Sequence, residues 1–261
     1  MLVGVKYTPS GAHKTQRTVM SFSPPPASTE LQSFGSAARS DDATAARRAA
    51  DKQVHAAKHI SHAGTLRQTA DVLLAVLHER DPDLSQHLHD VAALAQMTAT
   101  ELGLPEEQIA QIRLAAQLHD IGKVAIPDAI LNKPAALDAA DWRAIEQHTV
   151  IGQRIAAAAP ALAPVADVIR SSHERYDGGG YPDGLAGGDI PLGSQVVFVC
   201  DSFHAMTTDR PYRKAMSATD ATEELRRHAD SQFNSVVVDA FTASYASRAR
   251  VAPTADAACA A

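Results

Sequence analysis

Imidazole and carboxylate side chains recur on the apolar faces of predicted helices. The residues are His87, His119, Asp120, His148, His173 and Asp201. His119 follows Ile112 and Ala116 at helical spacing, and Asp201 lies four residues after Val197. The pattern predicts that four imidazoles and two carboxylates point inward from five helices.

Burying six such side chains without a cation is costly, because each unpaired carboxylate loses its hydration. A single buried histidine is more often a satisfied core group, but a metal cluster accounts for the whole set. Mixed His and Asp ligands without Cys favour iron or manganese, and less specifically zinc. Asp120, next to a ligating histidine, is suited to bridge two ions, the geometry that generates a nucleophilic hydroxide.

Length and composition limit the class of protein. The 261 residues carry a net charge of −6, so no global basic field draws in a nucleic-acid polymer or an anionic membrane. No apolar run approaches the roughly 20 residues that span a bilayer. The two cysteines, Cys200 and Cys259, form no disulfide framework and indicate a reducing compartment. We therefore expect a cytoplasmic protein.

Elements that would position these residues begin near residue 66. Aromatic residues make up only 5%, so the core must come from Ala, Leu, Val and Ile, which suits packed helices. Periodicity predicts helices at 66–80, 84–102, 105–122, 138–158, 164–173, 216–229 and 235–249, with Asp138 and Asn234 as caps. The segment QVVFVCDSFHAM (195–206) alone fits a strand, but its neighbours favour a helix. No strand–helix alternation occurs, so the predicted fold is an all-α helical bundle.

The two ends of the chain differ from this folded region, 67–250. Residues 1–66 are rich in Pro, Ser and Ala and are predicted to be a disordered or linker tail, as is 251–261. A polar helix is possible at 43–62, although solvated coil is the simpler interpretation. Three histidines would share one side of that helix and offer a metal site: His55, His59 and His62.

Four segments, in this order, resemble the HD-GYP domains. They read LHDIGK at 118–123, EQH at 146–148, HERYDGGGYPDGL at 173–185 and DSFHAMTTDRPYR at 201–213. HD alone is a weak motif, whereas the ordered combination is highly specific. HD-GYP domains are a branch of the HD phosphohydrolase superfamily that hydrolyses the bacterial messenger cyclic di-GMP. The resemblance covers about residues 67–249.

Residue by residue, this resemblance implies roles in a phosphodiesterase site. It assigns as ligands of two ions the same six residues that periodicity selected, with Asp120 and Lys123 as the catalytic residues. Asp83 matches the place where some members carry a glutamate that binds a third ion, although a solvated helix-start aspartate is the simpler interpretation. Lys123, Tyr181, Arg210 and Arg213 match positions that hold the phosphates and guanines. Cations at an anionic diester offset the charge that grows on its oxygens.

Residues 178–182, GGGYP, are expected to form a tight loop around a bulky ligand. Glycines let the backbone turn sharply and pass close to it, and Tyr181 can present its ring to a base. The implied reaction is attack on phosphorus by a metal-bridging hydroxide, yielding pGpG and then GMP.

Ser172 departs from the family, which typically has two consecutive histidines here. Serine is a poor neutral ligand, so we expect one metal position to lose a protein contact. This leaves an alternative function, a degenerate domain that binds cyclic di-GMP, a diguanylate cyclase or a sensory protein without turnover. Hydrolysis of a different cyclic dinucleotide is a third interpretation.

Overall fold

A computed structural model describes residues 64–209 and 214–251. Three predictions lie outside these ranges: most of the two predicted tails, the possible polar helix at 43–62, and the predicted substrate-binding residues Arg210 and Arg213. Residues 64–66 are already helical.

Helices account for the regular structure of these ranges. Their bounds are α1, residues 64–80; α2, Pro82–Glu101; α3, Glu106–Leu118; α4, Asp128–Leu131; α5, Ala139–Ala157; α6, Ala163–Arg170; α7, Leu192–Thr207; α8, Ala218–Arg227; and α9, Ser235–Val251. Two 3-10 helices cover Ile121–Ala125 and Gly187–Asp189. Among the described residues there is no β-strand, only three isolated bridges. The all-α prediction is confirmed.

Caps predicted from the sequence are present. Asp138 accepts hydrogen bonds from the N–H groups of Ala140 and Asp141, and the Asp141 carboxylate accepts one from the N–H of Asp138 in return. The Asn234 side chain accepts a hydrogen bond from the N–H of Val236 at 2.9 Å. Residues 195–206 lie inside α7, as expected from the neighbouring helices.

Two helices end at least three residues earlier than predicted. Helix α3 ends at Leu118 instead of Gly122, and α6 ends at Arg170 instead of His173. Consecutive residues of an α-helix point about 100° apart, so His119 and Asp120 would diverge on a continued helix. Leaving the helix lets both face one point.

The core lies where α2 packs against α3, α7 and α9. Fully buried Val91 and Ala95 of α2 belong to one cluster with Val196 and Cys200 of α7 and Phe241 of α9. A second cluster joins the end of α3 to α6, and α5 packs against α6 and the 3-10 helix after the HD pair. These contacts hold α2, α5 and α7 around the six predicted ligands.

Within the described part of the chain, none of the helices combines the length and apolarity that a membrane span requires.

Candidate metal centre

All six predicted ligands converge, although they come from different elements. Helices α2, α5 and α7 supply His87, His148 and Asp201, and the other three follow the ends of α3 and α6. The donor atoms of His87, His119 and Asp201 lie within 4.8 Å of one another, as do those of His119, Asp120 and His173. His119 belongs to both triads. The geometry therefore fits a metal centre, while the number of ions and the role of each residue as a ligand stay predictions.

Four donor atoms at the centre are buried without a hydrogen-bond partner: His119 Nε2, Asp120 Oδ1, His148 Nε2 and His173 Nε2. His119 Nδ1 lies 2.8 Å from the Ala116 carbonyl, and His148 Nδ1 lies 2.6 Å from the Ile145 carbonyl. A carbonyl only accepts, so in a neutral imidazole Nδ1 carries the proton and Nε2 presents a lone pair. Such unpaired buried groups are rare in proteins and need an explanation.

Burial keeps two of the histidines, His148 and His173, neutral. It lowers the pKa of His148 to about 4. Burial, followed by the proximity of the His148 imidazole, lowers the pKa of His173 to about 3. Neutral imidazole is the form that binds metal ions.

The carboxylates are held in the ionised form. Burial alone would raise the pKa of Asp120, but the charge of Lys123, together with the nearby imidazoles, outweighs it and holds that pKa well below the usual value. Burial also acts to raise the pKa of Asp201, and the hydrogen bond and charge of His87 reverse the shift. Ionised aspartates thus lie beside the neutral imidazoles of His148 and His173. The residues present therefore fit a divalent cation.

Spacing within the triad of His87, His119 and Asp201 is compatible with the same conclusion. His87 Nε2 lies 3.1 Å from Asp201 Oδ1. Adjacent ligands of one ion, each about 2.1 Å from it, lie about 3 Å apart.

Gly122 allows the HD segment to reach α5. A Cβ atom at this position would lie 1.9 Å from the carbonyl oxygen of His148, and 2.7 Å from the backbone nitrogen of Gly152. A larger residue would push Asp120 and Lys123 away from the histidine on α5.

A buried carboxylate shapes the glycine-rich loop. Glu174, 1% exposed, accepts hydrogen bonds from the N–H groups of Asp183, Gly184 and Leu185 at 2.7, 3.1 and 3.1 Å. At Gly180 a Cβ would lie 2.3 Å from the backbone nitrogen of Arg175. This glycine therefore lets two backbone segments pass close to each other, whereas the sequence had suggested only a close approach to a ligand. Sequence reasoning missed Glu174; the signal was an acidic residue beside His173, in a loop with few other anchors.

Tyr181 covers His173. The two rings stack with centroids 5.2 Å apart and planes inclined by 17°. The phenol oxygen is buried without a hydrogen-bond partner, and burial raises the pKa of Tyr181, so the group stays protonated. The predicted stacking on a guanine stays a prediction, and one face of the ring already contacts His173.

Ser172 is buried, and its hydroxyl donates to the Ile169 carbonyl at 2.9 Å, at the end of α6. Asp83 lies in the first turn of α2, but its side chain is outside what the structure describes. Sequence reasoning also missed His204, whose Nδ1 lies 2.9 Å from Nδ1 of His87. The signal was its position one turn after Asp201 on α7.

Comparison with known proteins identifies the family of this chain. The HD domain family profile matches residues 71–237. The chain is 37% identical over 178 residues to a cyclic di-GMP phosphodiesterase of Thermotoga maritima, covering 67% of this chain and 48% of that protein. It is 37% identical over 176 residues to the cyclic di-GMP phosphodiesterase response regulator RpfG of Xanthomonas campestris pv. campestris, covering 67% and 47%.

A third relative has a different name. The chain is 34% identical over 180 residues to the 3'3'-cGAMP-specific phosphodiesterase 2 of Vibrio cholerae, covering 67% of this chain and 34% of that protein. The chain thus spans about half or less of the length of these curated relatives. The profile match, over more than half of the chain, and the ordered motifs show that it belongs to the HD domain family, in its HD-GYP branch.

Proposed function

We propose that this chain is a metal-dependent phosphodiesterase that hydrolyses cyclic di-GMP to pGpG and GMP. Relatives named cyclic di-GMP phosphodiesterases, 37% identical over the matched region, support the reaction class. The observation that carries the proposal is the set of four buried, unpartnered donor atoms around Asp120. A protein without a cation here would leave these groups desolvated and unpaired.

Two divalent ions, iron or manganese, would be held by the six converging residues, with Asp83 available for a third. When bound, such ions supply an activated water and polarise the phosphoryl group. Asp120 would be one of the residues that hold the ions, and its two oxygens face different histidines: Oδ1 lies 3.3 Å from His148 Nε2 and Oδ2 lies 3.6 Å from His119 Nε2.

Lys123 is proposed to serve both the carboxylate and the substrate. Its ammonium group lies 2.6 Å from Asp120 Oδ2, and its side chain is 23% exposed. A partly exposed cation at the edge of the site can bind a phosphate oxygen while keeping Asp120 ionised. Arg210 and Arg213 are proposed to complete the clamp on the phosphates, and Tyr181 to bind a base.

Specific observations favour two alternatives. Ser172, where the family typically has histidine, favours a domain that binds cyclic di-GMP or a signalling partner without turnover. The Vibrio cholerae relative named as 3'3'-cGAMP-specific favours a different cyclic dinucleotide. The free, buried thiol of Cys200 accords with the proposed cytoplasmic location.

The test is anaerobic purification of the whole chain, metal analysis and incubation with cyclic di-GMP or 3'3'-cGAMP, with products separated by chromatography. We expect bound iron or manganese and release of pGpG and GMP. His119→Ala with Asp120→Ala should abolish both metal content and turnover, and His89→Ala, at an exposed histidine of α2, should change neither. Cyclic di-GMP binding without turnover under either metal would favour the binding function, and faster turnover of 3'3'-cGAMP would reassign the substrate.

A further inference from the structure

His204 joins the candidate metal centre to the protein surface. It lies on α7, one turn after Asp201, and its Nδ1 is 2.9 Å from Nδ1 of His87 on α2. On its other side, His204 Nε2 lies 3.4 Å from Oδ2 of Asp90. The side chains run in one line from the centre outwards: Asp201, His87, His204 and Asp90.

We infer that His204 is a positioning residue, which accepts a hydrogen bond from His87 and thereby turns the bare Nε2 of His87 towards the metal position. The inference rests on the proposed metal site and adds His204 as a residue that orients one of its ligands.

With a cation bound at the inner end, the direction of the hydrogen bonds follows from the last member of the line, Asp90. An ionised carboxylate only accepts, so Asp90 accepts a hydrogen bond from the Nε2–H group of His204. A neutral imidazole carries one ring proton, so His204 Nδ1 is left as an acceptor. His87 Nδ1 must then be the donor, and His87 Nε2 presents a lone pair.

A nearby hydroxyl does not change this assignment. Thr208 Oγ1 lies 3.4 Å from His204 Nδ1, but it donates to the carbonyl oxygen of His204 at 2.8 Å. The shorter contact to Nδ1 is that of His87.

At the inner end, this polarity belongs to the metal-bound site, because in the metal-free protein Asp201 accepts a hydrogen bond from Nε2–H of His87. His87 Nε2 and Asp201 Oδ1 are 3.1 Å apart, and with the polarity of the metal-bound site both would present lone pairs to each other. Two facing acceptors repel unless a positive charge lies between them. His204 therefore acts through His87 and has no need to touch an ion or a substrate itself.

Two substitutions of His204 distinguish its role as a hydrogen-bond acceptor for His87 from a role in packing alone. Asparagine places a carbonyl oxygen where histidine has Nδ1, so His204→Asn can still accept from His87. His204→Leu fills similar space and accepts nothing. Asp90→Ala removes the group that orients His204, and His89→Ala is the control at an exposed histidine of the same helix as His87.

The readout is Mn²⁺ binding to the metal-free full chain by calorimetry, with thermal unfolding recorded for each variant. We expect His204→Leu to weaken Mn²⁺ binding about 10- to 100-fold, as loss of an outer partner of a ligating histidine does. His204→Asn and His89→Ala should bind like wild type, and Asp90→Ala should show a smaller loss than the leucine variant.

Equal Mn²⁺ binding by wild type and His204→Leu, or an equal loss in His204→Asn and His204→Leu, would overturn this inference and leave the proposed metal site standing. If the leucine variant does not fold, wild-type affinity in Asp90→Ala would overturn it instead. Failure of wild type to bind Mn²⁺ would overturn the proposed metal site and this inference together.

Discussion

The ammonium group of Lys123 lies 2.6 Å from Oδ2 of Asp120. The cation that is proposed to bind the substrate is therefore paired with the central carboxylate. Asp120 is only 2% exposed, and the charge of Lys123 is the largest influence that lowers its pKa against the effect of burial. The lysine therefore contributes to the site before any substrate arrives.

Replacing Lys123 by glutamine separates these two tasks. We expect turnover to fall about 10²- to 10³-fold, as with loss of one charge-stabilising donor, while metal content at neutral pH is kept. Metal analysis and kinetics on the same sample measure both. Lys133→Gln is the control, because Lys133 pairs with Asp138 and Asp141 at the start of α5. Metal loss as complete as in the His119→Ala, Asp120→Ala protein would show that Lys123 serves chiefly to hold Asp120.

Gly122→Ala should be strongly destabilising. Its Cβ would meet the His148 carbonyl at 1.9 Å, and neither backbone can move without displacing a predicted ligand. We expect a loss of more than about 2 kcal/mol in the free energy of unfolding, together with loss of bound metal. Gly188→Ala, where a Cβ meets nothing within 4 Å, should stay within about 0.5 kcal/mol in urea unfolding. Similar stability of the two variants would contradict the packing argument.

Glu174→Gln tests whether the buried carboxylate shapes the glycine-rich loop. A glutamine oxygen cannot accept all three backbone N–H groups, and its own amide would face one of them. The expected cost is about 1–3 kcal/mol of stability, with faster proteolytic cleavage in residues 177–186. Asp189→Asn, at an exposed carboxylate of the same region, is the control. Unchanged cleavage in Glu174→Gln would argue that the loop is held by other contacts.

Metal-free protein should lose stability as the pH falls below about 6.5. Folding lowers the pKa of His148 to about 4 and that of His173 to about 3, so the unfolded chain takes up protons first and protonation favours unfolding. The lowered pKa values of Asp120 and Asp201 act with the same sign at lower pH, where these carboxylates would protonate.

The His148 contribution is fully present above pH 6.5 and is lost progressively towards pH 4, on the order of 2–3 kcal/mol. Urea unfolding of EDTA-treated protein at several pH values measures it. His148→Gln should flatten the dependence, whereas His89→Gln should leave it unchanged. An identical pH profile for wild type and His148→Gln would show that His148 does not titrate as described.

Ser172 provides a test of metal occupancy. We predict that wild type is purified with less than a full complement of metal and that added Mn²⁺ raises its activity. Ser172→His should raise the metal content and lessen this dependence, since it restores an imidazole beside His173. Ser172→Ala should alter metal content little, because the hydroxyl is bonded to the Ile169 carbonyl. Equal metal per chain in wild type and Ser172→His, after identical anaerobic preparation, would defeat the prediction.

Helical periodicity was sufficient to predict the bundle and the faces that carry His87, His148 and Asp201. It failed at the end of α3, because a periodic pattern continues while the chain must leave the helix for His119 and Asp120 to face the same point. It also failed at α6, which ends at Arg170. The His87–His204 contact joins residues 117 positions apart, and no local pattern encodes it. The support of the loop by Glu174 likewise depends on where the chain returns after three glycines.

The central claim is that these six residues hold divalent ions. An anomalous difference map from crystals of the whole chain grown with Mn²⁺ tests it most directly. We predict two peaks enclosed by the six side chains His87, His119, Asp120, His148, His173 and Asp201. A map with no peak among these side chains, or with Mn²⁺ only at surface carboxylates, would contradict it.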